Sequence, residues 1–298
     1  MTQAILKRET FTTSRLMEFF TKKELAMQMG HSEYMWPIAL VKELIDNSLD
    51  ACESAGIAPK IHVAYDNDSI TVEDNGPGLP QSTLEKSLDY LVRVSDKNGY
   101  IAPTRGQLGN ALKCVWAAPY VANQHRTAIV EVNTPTASNR ITVSLDRIAD
   151  QPRLALETKE PIVKIGTSIK MFWPDVARYL SHSFADFYNT SIAGLLKGYL
   201  LFNPHAMFGL NGINRDVEPK AHDWEKWQPS DPTSPHWYDP TQFRNLIASY
   251  IKIDRAKNKR TTVREFVSTF RGLSGTAKQK TVTSQLGLNN AYLDTLVV

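Results

Sequence analysis

The sequence predicts an α+β fold, with strands on one sheet, helices interleaved among them, and a small all-helical domain at the end. Three observations predict it. Helical and strand periodicities alternate along roughly the first 216 residues, with no internal repeat and no low-complexity tract. Residues 217–240 then hold five prolines and three tryptophans, the composition of a packed linker. Beyond them only helical patterns occur. The expected boundaries are an N-terminal arm over 1–20, the sheet-bearing domain over 21–220, a linker over 221–239 and the helical domain over 240–298.

Residues 14–29 place Leu16, Phe19, Phe20, Leu25 and Met29 roughly in one stripe, predicting an amphipathic helix. A second helix starts near Pro37, a residue suited to a first helical turn, and ends at Gly56. Lys60–Tyr65 and Ser69–Glu73 read as strands joined by the turn Asp66-Asn67-Asp68. Asp74 to Pro80, DNGPGLP, cannot be regular structure, and a short helix over Gln81–Leu91 leads into a polar loop from Val94 to Gly106. A helix over about Leu108–Ala117 precedes strands at Thr127–Asn133, Arg140–Leu145, Arg153–Thr158 and Ile162–Phe172. Helices over about 175–201 and strands near Ala206–Leu210 and Ile213–Asp216 complete the domain, and helices near 240–252, 262–270 and 276–286 make up the tail.

A chain of 298 residues with 42% hydrophobic and 22% charged residues is an ordinary globular composition. No apolar run reaches membrane-spanning length, and MTQAILKRETF lacks a hydrophobic signal core, which predicts a cytoplasmic protein with no membrane partner. Cys52 and Cys114 lack metal-ligand spacing, and Cys114, followed by Val-Trp-Ala-Ala, reads as a reduced, packed thiol. The net charge of +3 is uneven: the residues from Asp239 onward carry about +6 and the rest about −3. Lys252, Arg255, Lys257, Lys259 and Arg260 crowd between two expected helices, which suggests duplex DNA contacts at Lys252, Lys257, Lys259 and Arg260; a solvated charged surface is the plain alternative.

Three elements carry chemistry. In the helix LVKELIDNSLDACESAG, a rotation of about 100° per residue puts Glu43, Asn47 and Asp50 on one face, leaving Leu40, Leu44 and Ile45 to pack. A carboxylate one turn from a carboxamide can hold a water and a hard cation side by side, although a solvated polar stripe has the same pattern. Next, Asp74, Gly76 and Gly78 follow a strand directly; the glycines admit a flat ligand close to the backbone and the carboxylate can accept an exocyclic N–H, or the run is a plain tight turn. No G-x-G-x-x-G opens a helix there, so a dinucleotide fold is not indicated. Third, Gly106, Gln107, Leu108, Gly109 and Asn110 at a helix start, with Lys113 one turn on, expose unpaired backbone N–H groups suited to phosphates; the Walker pattern is absent, and a glycine cap with a surface lysine is the alternative.

Together with Gly166-Thr167-Ser168 on a later strand, these occur in the order one pocket needs. ELIDNSLDA, DNGPGLP, RGQLGNALK and IGTS resemble the four boxes of the GHKL, or Bergerat-fold, ATPases. Within that group the chain looks most like the topoisomerase VI B-subunit family, through KELIDNSLDACESAGI, VSDKNGY and GQLGNALK. SPHWYDPTQFRNLI and TVREFVSTFRGLSGTAKQKTV resemble that family's helix-two-turns-helix insert. The resemblance implies a two-layer sandwich, a mixed sheet with helices on one face, and ATP and Mg²⁺ as cofactors. It implies Glu43 as the general base, Asn47 as the Mg²⁺ ligand, and Asp74 as acceptor of the adenine amino group with Thr167 in support. Asp96 and Lys97 would lie beside the nucleotide, and Gly106 to Lys113 would wrap the phosphates. It further implies homodimerisation on ATP and a DNA-cleaving or other effector subunit as partner, hence a nucleoid-associated protein.

That family continues into a transducer domain, which this chain does not carry, so it reads as a fragment or a shortened relative and is expected to turn over slowly. Two further readings stand beside the topoisomerase-like one. One is a GHKL clamp of another DNA-related system, whether mismatch-repair-like, chromatin-remodelling-like, mobile-element or defence. The other is a non-hydrolysing, ATP-dependent interaction module, against which Glu43 argues, since a pure binding site needs no base.

Overall fold

The computed structural model describes residues 17, 19–90, 111–123, 127–146, 148–149, 151–180, 191–211, 213–215 and 232–296. Those up to residue 215 belong to one compact unit and 232–296 to a second. The first unit is built on helices α1 (Lys22–Met29), α2 (Trp36–Ser54), α3 (Gln81–Ser87), α4 (Ala111–Ala122), α5 (Val176–Leu180) and α6 (Ile192–Phe202). Its strands are β1 (Lys60–Tyr65), β2 (Ser69–Asp74), β3 (Ala128–Asn133), β4 (Ser138–Asp146), β5 (Gln151–Lys159), β6 (Ser168–Phe172), β7 (Met207–Leu210) and β8 (Ile213–Arg215). They form one eight-stranded sheet in the order β5-β4-β3-β6-β2-β1-β7-β8. Among the described strand pairings only β1–β7 is parallel; the fold is thus α+β, as the alternation of patterns predicts, with the mixed sheet that the resemblance implies.

Every second residue of the central strands enters the core: Val63, Val72, Val130, Val132, Ile141, Val143 and Met171 are buried. They meet Leu40, Val41, Leu44, Ile45 and Leu49 of α2 and Val115, Trp116 and Ala118 of α4 in one cluster. Each such aliphatic side chain contributes about 1.5–3 kcal/mol on burial, so packing against the sheet, more than intrinsic propensity, fixes α2 and α4. The alternate strand residues, among them Glu131, Arg140 and Lys170, stay partly or fully exposed.

Several boundaries differ from expectation for physical reasons. The strand expected from Ile162 begins at Ser168, because Ile162 and Ile165 are solvent-exposed and Gly166 adopts φ 75°, a left-handed conformation that breaks the extended run. Helix α4 runs past Ala117 to Ala122 with Pro119 inside it, carried on by burial of Tyr120 and Val121. Helix α3 stops at Ser87, whose hydroxyl donates to Leu84 O and accepts from Trp116 Nε1. Between α5 and α6, residues 181–190 lie outside the described residues, as do the arm over 1–16 and the linker over 216–231.

The second unit holds α7 (Pro240–Ala256), α8 (Val263–Ser268) and α9 (Thr276–Gln285) around Leu246, Ile251, Phe266, Phe270 and Leu293. Reciprocal capping boxes, Asp239 with Gln242 and Thr262 with Glu265, start α7 and α8. Helix α7 outlasts its expected end near 252, which corrects the picture of a basic loop: Lys252 and Arg255 are helical, in the final turns where cations favour the helix dipole. Buried Asp254 accepts from Thr261 N at 2.7 Å and Thr261 Oγ1 at 3.1 Å, closing the short link from α7 to α8. Among the described residues no helix is long and apolar enough to cross a membrane.

Candidate functional site

Helix α2 turns its buried side to the sheet and leaves Glu43, Asn47 and Asp50 half-buried along one stripe, at the i, i+4, i+7 spacing expected of them. Lys42 Nζ lies 3.1 Å from Glu43 Oε1 and 2.7 Å from Asp46 Oδ2. Burial alone would lower the Lys42 pKa, but the hydrogen bond and charge of Asp46, with Glu43 behind them, raise it, so the ammonium stays charged beside Glu43. Asp46 is held in turn by Tyr199 Oη at 2.7 Å, which ties α6 to this helix.

The end of β2 supplies the second part. Asp74 Oδ1 accepts from Gly76 N at 2.9 Å and Thr167 N at 3.0 Å, while Oδ2 accepts from Ser48 Oγ at 2.9 Å. Two backbone donors saturate Oδ1, and a carboxylate has about four acceptor positions in all. Oδ2 therefore keeps acceptor capacity for an exocyclic amine. Burial pushes the Asp74 carboxyl above its usual range, against the hydrogen bonds from Gly76, Ser48 and Thr167.

A strap formed by Gly166 and Thr167 fixes this corner. Gly166 N donates to Gly76 O at 3.0 Å, Asp74 N donates to Thr167 O at 2.9 Å, and Leu79 N donates to Thr167 Oγ1 at 3.0 Å. The approach is so close that a Cβ on Gly166 would sit 1.7 Å from Asp74 O. At Gly78, with φ 90°, a Cβ would fall 2.8 Å from Pro135 Cδ. Both glycines are thus required by the local geometry.

The two cysteines flank the same region. Burial first, then the charge of Asp74, raises the Cys52 thiol to about 12; burial, then the charge of Glu43, raises Cys114 to about 12. Both stay protonated at neutral pH and act as packing groups. Cys52 Sγ lies 3.5 Å from Asn75 Oδ1, which also accepts from Lys60 N at 2.7 Å.

Lys113 on α4 is only 3% exposed, its Nζ 5.8 Å from the centroid of the Tyr90 ring. Burial lowers its pKa, partly offset by the charge of Asp89. Asp96, Lys97, Gly106, Gln107, Leu108, Gly109 and Asn110 lie outside the described residues. Sequence reasoning missed Ser48 and Asn75. Ser48 sits about 140° around the helix from Glu43 and so falls off the stripe that drew attention. In the second unit, Lys252, Lys257, Lys259 and Arg260 are exposed, but Arg260 forms paired hydrogen bonds of 2.8 Å to both oxygens of Asp294 and stacks 4.1 Å over Tyr292. Arg260 is therefore paired within its own unit, unlike a freely solvated cation.

A helix presenting Glu43 and Asn47 thus crosses a strand end that holds Asp74, half-buried, under a glycine strap. Residues 35–175 match the histidine kinase-, DNA gyrase B- and HSP90-like ATPase family. Among curated proteins, the chain is similar to the B subunit of type 2 DNA topoisomerase 6 from Archaeoglobus fulgidus, 30% identical over 197 residues that cover 63% of this chain and 31% of that protein. It is likewise similar to the counterpart from Thermococcus kodakarensis, 26% identical over 272 residues, covering 86% of this chain and 44% of that protein. The chain thus spans less than half the length of these relatives. Among solved structures it is similar to the ATPase domain of the mismatch repair endonuclease MutL of Aquifex aeolicus, with a TM-score of 0.35 and 22% identity over 60% of this chain and 57% of that one. The match over this domain points to ATP as its ligand.

Proposed function

We propose that the chain is a Mg²⁺-dependent ATP-binding and hydrolysing module that dimerises on ATP, as the ATPase half of a type IIB topoisomerase-like machine. The observation that carries the reading is Asp74, a half-buried carboxylate with one oxygen saturated by backbone N–H groups and the other able to accept the adenine amino group. Thr167 supports it through its backbone N–H and by anchoring Leu79. Gly76 and Gly78 keep side chains out of the adenine's path.

Asn47 and Glu43 offer hard oxygen donors, which suit Mg²⁺. Among the described residues no three His, Cys, Asp or Glu gather as a metal site, so the cation would be shared between Asn47 and the phosphates. Bound there, Mg²⁺ supplies charge neutralisation at the phosphates. Glu43 takes the proton of the attacking water, and Lys42 holds its carboxylate in place. Gly106, Gln107, Leu108, Gly109 and Asn110 cradle the phosphates, with Asp96 and Lys97 beside the nucleotide and Lys113 at the base of that segment.

The effector is a separate DNA-cleaving or comparable subunit, and the basic end of α7 with the link after it, through Lys252, Lys257 and Lys259, contacts duplex phosphates. Such a protein acts in the cytoplasm, at the nucleoid. Titration calorimetry with ATP and GTP in Mg²⁺ tests the core of the reading. ATP binding at least tenfold tighter than GTP is expected, because guanine presents a carbonyl where adenine presents its amino group; equal affinities would overturn it.

A further inference from the structure

Strand β5 closes one end of the sheet, nine residues long and, among the described residues, paired only to β4. The directions of its backbone groups follow from the β3–β4 hairpin. There Thr134 N donates to Ala137 O, so the odd-numbered residues of β4 bond to β3 and the even-numbered ones to β5. In the β4–β5 register an even residue of β4 always faces an odd residue of β5, such as Ser144 with Arg153 and Arg140 with Glu157. Pro152, Leu154, Leu156 and Thr158 consequently point their backbone groups outward, away from the sheet. Pro152 fits this placement, since it has no N–H for β4 to accept.

The residues along this edge are self-complementary. An antiparallel copy centred on Ala155 sets Leu154 opposite Leu156, an outward-pointing pair able to exchange both backbone hydrogen bonds. It also sets Arg153 opposite Glu157, twice by symmetry. Arg153, Ala155 and Glu157 are exposed on the open face of the sheet. The same pairing extends a row of alternating charge already present there. Lys170 of β6 faces Glu131 of β3, Glu131 faces Arg140 of β4 at 3.5 Å, and Arg140 faces Glu157 of β5. Arg153 of a second copy is the next cation in that row. Its guanidinium has donors enough to keep its existing partner, Asp146, as well.

From this we infer that β5 is a homotypic docking edge, at which a second copy of this chain adds its own β5 antiparallel to continue the sheet. This contact does not require nucleotide and is independent of the ATP-driven dimer proposed above. One strand pair buries less than the roughly 1,600 Å² of a standard interface, which places the dimer in the weak, micromolar class.

Sedimentation velocity of the full chain without nucleotide, from about 1 to several hundred micromolar, tests the proposal across the range where such an interface half-associates. A concentration-dependent dimer is expected. Arg153→Glu and Glu157→Arg should each weaken it at least about tenfold by setting like charges opposite one another. An equimolar mixture of the two variants should recover wild-type association, because the heterodimer restores opposite charges at both positions. A monomer at every concentration, a dimer that neither reversal weakens, or a mixture that does not recover would each overturn it.

Discussion

The Ser48 hydroxyl donates to Asp74 Oδ2 at 2.9 Å, joining helix α2 to the end of β2. The helix that carries Glu43 and Asn47 is thereby held against the carboxylate proposed to read adenine. Removing that carboxylate should remove base recognition. Asp74→Ala is expected to weaken ATP binding by one to two orders of magnitude, since a hydrogen bond to a charged group contributes about 1.5–3 kcal/mol. Ser48→Ala should weaken it less, because the two backbone donors still orient Asp74. Calorimetry giving Ser48→Ala the larger loss would mean that the hydroxyl, not the carboxylate, contacts the base.

Burial raises the Asp74 carboxyl above its ordinary value despite three hydrogen bonds to its charged form. The folded protein thus takes up this proton at a higher pH than the unfolded chain does. Charged Asp74 costs folding stability above the raised value, and the cost is relieved as pH falls through it. Nucleotide binding should respond in the opposite sense, because only the carboxylate accepts at every lone pair. ATP affinity is expected to fall as pH drops from neutral through that raised value. Asp74→Asn should bind weakly at every pH, with this part of the dependence gone. An identical pH profile in both proteins would assign the titration to another group.

Much of the site is legible in the sequence because its parts are short contiguous runs whose residue types carry their own geometry. Asp74, Gly76 and Gly78 follow one strand end, and Glu43 with Asn47 follow helical spacing. Ser48 escapes that reasoning, since its role depends on where β2 crosses α2, a tertiary fact. The late start of β6 escapes for a related reason. Ile162 to Phe172 alternates acceptably for a strand, but the close approach of Gly166 to Asp74 is visible only once the chain is folded. The end of α7 escapes too, because the charged residues after Tyr250 resemble a loop, whereas buried Ile251 and Asp254 carry the helix on.

Gly166 and Gly56 offer a controlled comparison. Both adopt left-handed backbone, φ 75° and 68°, but a Cβ at Gly56 meets nothing within 4 Å while one at Gly166 meets Asp74 O. Gly56→Ala should cost only conformational strain, about 1 kcal/mol. Gly166→Ala adds a clash with backbone and should cost about 2 kcal/mol or more, lowering Tm by roughly 4–8 °C in a domain of this size. It should also impair ATP binding by displacing Asp74. Equal melting temperatures for the two variants would show that the strap can move.

Hydrolysis should separate from binding at Glu43. Glu43→Gln is expected to keep ATP affinity within a few-fold while losing general-base assistance, about 10² to 10⁴ in rate. Asn47→Ala should instead weaken Mg²⁺-dependent binding itself. The comparison is clean because Lys42 retains Asp46 as a partner at 2.7 Å when Glu43 is changed. Wild-type turnover by Glu43→Gln would place the base elsewhere.

The basic end of α7 is where DNA binding is to be tested. Lys252, Lys257 and Lys259 are exposed, while Arg260 is committed to Asp294 and Tyr292. Phosphate neutralisation by lysines carries no base readout, so any duplex binding should be independent of sequence. Its log K should fall with log salt at a slope of about −0.9 per phosphate neutralised. Changing Lys252, Lys257 and Lys259 together to Ala should therefore flatten the slope by about two to three units and leave ATP binding intact. Arg260→Ala should leave the slope nearly unchanged while lowering the stability of the helical unit, because its paired hydrogen bonds with Asp294 hold the link after α7 to the chain near its end. A slope that responds to Arg260→Ala and ignores the lysines would reverse this assignment, and no binding by the wild type at low salt would make the lysines a solvated surface.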